Sequence, residues 1–141
     1  MPETQTFRVP NRSEHVPTAR HRIRETLADW GITGAVADAV TLSANELFTN
    51  AVAHCRTSCT DVEITLALDG PVLMLEVSDP DRDLLPRQHD SGPDEECGRG
   101  LALVAGLAAE WGHRQEAHAK CVWARFTDVE RLEGAHVPAD V

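Results

Sequence analysis

The segment Leu42–His54 (LSANELFTNAVAH) places a carboxylate at Glu46 and an amide at Asn50, four residues apart. On a helix that spacing puts both groups on one face. A carboxylate there can take a proton from a hydroxyl, and an amide oxygen is a neutral ligand suited to a hard cation such as Mg²⁺. The same pair also fits polar groups satisfied by backbone or water, or an exposed helix edge. Asp79 stands where the apolar run Val72–Val77 gives way to Pro80. A carboxylate in that position can accept a hydrogen bond from an exocyclic amino group, or simply start a turn before proline. Gly98-Arg99-Gly100 precedes an apolar run from Leu101. Backbone amides at a helix start, unobstructed by a glycine side chain, suit a phosphate. Arg99 and Lys120 offer it positive charge, or serve as exposed solubilising groups. Cys55 and Cys59 flank three residues, with His54 adjacent, while Cys97 and Cys121 stand alone. That spacing matches no common paired-cysteine framework, so free thiols are expected, with a Cys/His metal sensor as the alternative.

The elements that must position these residues follow from periodicity. Phe7–Pro10 reads as a short edge strand, because Pro10 does not suit a sheet interior. Val16, Ala19, Ile23, Leu27 and Trp30 form a helical stripe between Pro17 and Gly31, residues suited to a helix start and stop. A second helix spans about 33–54, with Val36, Val40, Ser43, Leu47 and Ala51 inward; Asp38 and Glu46 are its only charges, so it is expected to be largely buried. Val62–Leu68 and Val72–Ser78 alternate as strands around Asp69-Gly70, a hairpin signal. Residues 80–97 are rich in proline and acid and read as a long lid-like loop. A third helix is expected over Leu101–Trp111 with Gly112 ending it, then a hairpin of His113–Glu116 and Lys120–Phe126. The order implies an α+β fold with helices on one face of a mixed sheet. One domain spans residues 7–127, and 128–141 reads as a loose acidic tail.

The chain has 141 residues, 13 Lys+Arg and 23 Asp+Glu, for a net charge of −10. That balance, with three Phe, three Trp and no Tyr, disfavours nucleic-acid and anionic-membrane partners. The acid is uneven, however: residues 98–127 carry four basic and two acidic side chains. The start, Met1-Pro2-Glu3-Thr4-Gln5, lacks the basic and apolar regions of a secretory signal. No apolar run approaches the roughly 20 residues of a spanning helix. A cytoplasmic location with reduced thiols is expected.

Taken together, the three chemistry-bearing segments resemble the GHKL (Bergerat-fold) ATPases, in particular the small RsbW-type anti-sigma-factor serine/threonine kinases of bacteria. The resemblance covers residues 7–127 and implies a two-layer sandwich, a mixed, mostly antiparallel sheet with helices on one face, and an ATP lid. It implies that Glu46 is the general base and Asn50 the Mg²⁺ ligand of the N box. Asp79 matches the adenine-binding residue of the G1 box, and Gly98, Arg99, Gly100 and Leu101 match the G2 box near the phosphates. Ala119-Lys120-Cys121-Val122-Trp123 is similar to the family's Gly-Lys-Thr-Val-Trp strand, which implies nucleotide contacts for Lys120 and for Cys121, in place of the threonine that helps hold adenine. Pro80-Asp81-Arg82 replaces the usual glycine pair of the G1 box. The implied cofactors are ATP and Mg²⁺, and the implied reaction is phosphoryl transfer to a serine or threonine of a partner. The implied partners are an anti-sigma factor antagonist and a sigma factor, and the implied assembly a homodimer. The Arg20/Arg22/Arg24 face offers a partner surface or a solvated helix face. The competing reading is a non-catalytic partner-binding module of the same fold, with weak or structural nucleotide binding.

Overall fold

A computed structural model describes residues 2–54, 61–79, 101–116 and 119–131, the side chains of 52–54 and 116 aside. Strand β1 (Glu3–Pro10) is followed by a short 3-10 turn, Ser13–His15, and by helices α1 (Val16–Asp29) and α2 (Gly34–His54). Strands β2 (Asp61–Asp69) and β3 (Val72–Asp79) come next. Residues 101–107 are helical (α3), and β4 (Glu110–Glu116) and β5 (Ala119–Phe126) close the order.

The helix boundaries have local causes. Pro17 lies in the first turn of α1, where its missing N–H leaves nothing unsatisfied. Gly31 ends the helix in a left-handed conformation, φ 78°. Its N–H donates to Ala28 O at 3.0 Å, and the Ile32 N–H donates to Leu27 O at 2.9 Å. This is a Schellman stop, and both apolar members of it, Leu27 and Ile32, are buried. In α2 the expected stripe is buried from Val40 onward, and Thr41, Ala44 and Phe48 widen the buried arc. The β2–β3 loop is Gly70-Pro71, since Asp69 still pairs with Val72; Gly70 takes the positive φ of 63° the turn requires.

The sheet order is β1-β2-β3-β5-β4. Expected as mixed and mostly antiparallel, it has every described pairing antiparallel. β1 is an edge strand, as Pro10 predicts, but begins earlier, at Glu3. The inner face, with Phe7, Val9, Ile64, Leu66, Leu75, Val77 and Ala124, packs under the helices as one core with Ile23, Leu27, Leu47 and Phe48.

Two expectations change. The third helix does not reach Trp111: it stops at 107, and Trp111 and Gly112 belong to β4. Gly112 is therefore no helix cap. It pairs with Trp123, whose ring lies so close that a β-carbon on Gly112 would meet Cζ2 at 2.8 Å. The chain also stays on the fold beyond Thr127. The Val129 N–H donates to Pro71 O at 2.8 Å, and the Val129 side chain is buried. Arg131 Nε donates to Trp30 O at 2.7 Å and its Nη1 meets Glu3 Oε2 at 3.0 Å. Residues 132–141, the rest of the expected tail, lie outside the described residues, as does the expected lid, 80–97.

Candidate functional site

Where α2 lies along the sheet decides which residues meet. Its first turns, at Ala35, Val36 and Ala39, lie beside Phe126 and Thr127 at the end of β5. From Val36 to Asn50 the helix advances about 21 Å at 1.5 Å per residue. From Phe126 back to Lys120, β5 covers about 20 Å at roughly 3.3 Å per residue. Glu46 and Asn50 lie beyond those first turns, in the C-terminal half of α2, and β3 stops at Asp79 at the end of the sheet where β5 begins.

At that end Asp79 is directly opposite Lys120 in the ladder. Residues paired in an antiparallel ladder share a face, and Asp79 follows Leu73, Leu75 and Val77 on the face toward the helices. Asp79 is 6% exposed and Lys120 half-buried. Glu46 and Asn50 are also half-buried, one turn apart. Next to Glu46, Asn45 Oδ1 accepts a hydrogen bond from Arg20 Nη1 at 3.4 Å. Sequence reasoning placed Arg20 on a partner-facing or solvated helix face, because nothing in the spacing of α1 reveals which residue of α2 it reaches. The neighbouring arginines are engaged too: Arg22 stacks 4.5 Å over the Phe7 ring, and Arg24 stands 3.9 Å from Asp38.

Cys121 is not brought to this place. It pairs with Ser78 and with Arg114, so the pleat turns it to the opposite face from Asp79 and Lys120. There it is fully buried. The Arg114–Glu76 ion pair, 3.3 Å, crosses β5 diagonally on that same face. The strict alternation of two was the available signal: if Asp79 faces the helices, then of adjacent Lys120 and Cys121 only the one paired with it can join it. Leu101 is half-buried and packs against the core. Gly98, Arg99 and Gly100 lie outside the described residues, as do Cys55, Cys59 and Pro80-Asp81-Arg82. Among the described residues no group of His, Cys, Asp and Glu is placed to hold a metal by itself. No described helix is long and apolar enough to cross a membrane.

Helices on one face of an antiparallel sheet, with a buried aspartate at the end of β3, are the setting in which a family model matches the chain. The histidine kinase-like ATPase domain fits residues 9–126. The chain belongs to this family. Histidine kinase-like ATPase domains bind ATP with Mg²⁺. Among solved structures it is similar to the RsbU and RsbW domains of Rv1364c from Mycobacterium tuberculosis, with a TM-score of 0.69 and 18% identity over 91% of this chain and 33% of that one. It spans about a third of the length of that protein. It is also similar to the SiaB–SiaC complex from Pseudomonas aeruginosa, with a TM-score of 0.62 and 16% identity over 86% of this chain and 88% of that one. At such identities the two structures show a shared fold. No curated protein matches the chain.

Proposed function

We propose that the protein binds Mg-ATP between the end of β3, the start of β5 and the C-terminal half of α2, and transfers phosphate to a serine or threonine of a partner protein. The observation that carries this reading is the buried Asp79, opposite Lys120, where β3 ends. The donor set fits the ligand. A buried carboxylate accepts hydrogen bonds, as an adenine amino group offers, and an amide oxygen suits a hard cation.

Bound Mg-ATP supplies the phosphoryl group and the cation that offsets its charge. The protein's residues supply position. Asp79 accepts the hydrogen bond of the adenine amino group. Asn50 offers its amide oxygen to the cation, and Glu46, one turn earlier, holds and accepts the proton of the incoming hydroxyl. Lys120 adds positive charge beside Asp79. Gly98, Arg99, Gly100 and Leu101 are the proposed phosphate-side segment. By the same reading the recipient is an anti-sigma factor antagonist, and a sigma factor is the protein held in check; the similarity to RsbW domains and to a SiaB–SiaC complex supports partner proteins of this kind.

Titration calorimetry with Mg-ATP tests the reading. Wild type is expected to bind, Asp79→Ala to bind far more weakly, and Asn50→Ala to lose the Mg²⁺ dependence. With a net charge of −10, ATP without Mg²⁺ is expected to bind poorly. Absence of binding at millimolar Mg-ATP overturns the proposal. Glu46→Ala is expected to keep binding and lose transfer. If wild type binds ATP but labels no antagonist, the protein is a non-catalytic partner-binding module.

A further inference from the structure

The other end of the helical layer carries an open groove. Its bed is Ala35, Val36 and Ala39 of α2, with Leu107, Ala108 and Phe126, and its volume is about 310 Å³. A second hollow of about 250 Å³ shares Ala35 and Val36 with it and is walled by Asp128 and Glu130. The large apolar side chains exposed among the described residues are Leu42, at 41%, and Leu103, at 38%. Leu42 lies one turn beyond Ala39 on α2, and Leu103 one turn before Leu107 on α3, so both prolong the apolar row. α3 itself, LALVAGL, carries no charge. Asp128 and Glu130 are exposed, and Arg131, the cation among the described residues of that wall, is turned toward Trp30 O and Glu3.

An apolar trough between two helices, ending in two carboxylates, complements a segment of matching shape and opposite charge. We propose that this groove docks a protein partner through an amphipathic helix, its apolar face lying between α2 and α3 and its basic end meeting Asp128 and Glu130. The groove is about 20 Å along β5 from Lys120, so the proposal stands apart from the nucleotide reading and does not depend on it.

The test is an NMR titration of the full chain with a short synthetic amphipathic peptide, leucines at helical spacing and lysines at one end, beside a twin carrying glutamates there. Amide shifts are expected to cluster in residues 35–42, 103–109 and 126–130 for the lysine peptide. Asp128→Asn with Glu130→Gln is expected to weaken binding about fivefold, the size of two rim ion pairs. Ala35→Phe, at an exposed position, is expected to fill the groove and abolish binding with an unchanged melting temperature. Equal binding of the glutamate twin, or shifts scattered over the surface, overturns the proposal. So does a dimer that Ala35→Phe converts to monomer, which would make a second copy the occupant. Movement of the 132–141 resonances with those of the groove would make the chain's own end the occupant and equally overturn it.

Discussion

Lys120 and Cys121 are neighbours in sequence on opposite faces of the sheet, so substitutions at the two should fail in different ways. Lys120→Met keeps the aliphatic stem and removes the ammonium. Across the ladder its Cα lies about 4.5–5.5 Å from that of Asp79, on the same face. Because Lys120 is half-buried, its contribution to an anionic ligand is screened to about 1 kcal/mol, or about fivefold in the Kd for Mg-ATP. Cys121→Ala removes a fully buried sulfur, which costs about 1 kcal/mol of stability. For a domain of this size that lowers Tm by about 2–4 °C, while the Kd should stay within experimental error. Cys121→Thr should likewise leave the Kd unchanged. Calorimetric titration and thermal unfolding of the three variants decide the matter. A fivefold weaker Kd for Cys121→Ala at unchanged Tm, with Lys120→Met neutral, would refute the assignment of faces.

Other contacts make equally direct predictions. Arg131→Ala loses the bonds to Trp30 O and Glu3 and should cost about 1–2 kcal/mol in urea unfolding, whereas Glu3→Gln should cost about 0.5 kcal/mol; an unchanged midpoint for Arg131→Ala would deny that this end of the chain is anchored. Gly112→Ala would set a β-carbon against the Trp123 ring, costing about 1–2 kcal/mol, and a double-mutant cycle should show the cost vanish in a Trp123→Ala background. The Ser43 hydroxyl is buried and has no hydrogen-bond partner among the described residues, so Ser43→Ala should stabilise by about 1 kcal/mol; a lower Tm would contradict that.

The elements legible in the sequence were those with local causes. α1 is framed by Pro17 and Gly31 and carries its own apolar period, and β2 and β3 alternate around a glycine turn. The end of the third helix was not legible, since Leu101, Val104, Ala108 and Trp111 keep a helical period through residues that are in fact turn and strand. What makes β4 a strand is non-local: its ladder to β5 and the fit of Trp123 over Gly112. The polar pair Glu46–Asn50 and the position of Asp79 could be read from spacing and strand end. The face of Cys121 could not be read from resemblance of letters alone, because it depends on register with Asp79. The anchoring of Val129 and Arg131 was hidden for the same reason: an acidic composition suggested a loose tail, while their partners Pro71, Trp30 and Glu3 are far away in sequence.

The Glu3–Arg131 contact joins positions 128 apart in the chain. Strand β1 and the segment after β5 therefore meet at one corner of the molecule. A unit cut at residues 3 and 131 could be spliced into a loop of a host protein with little strain on the host, as those two positions nearly coincide. By the same token, a few linking residues across that corner would permit the chain to be reopened elsewhere, for instance at the Gly70-Pro71 turn, without redrawing the sheet.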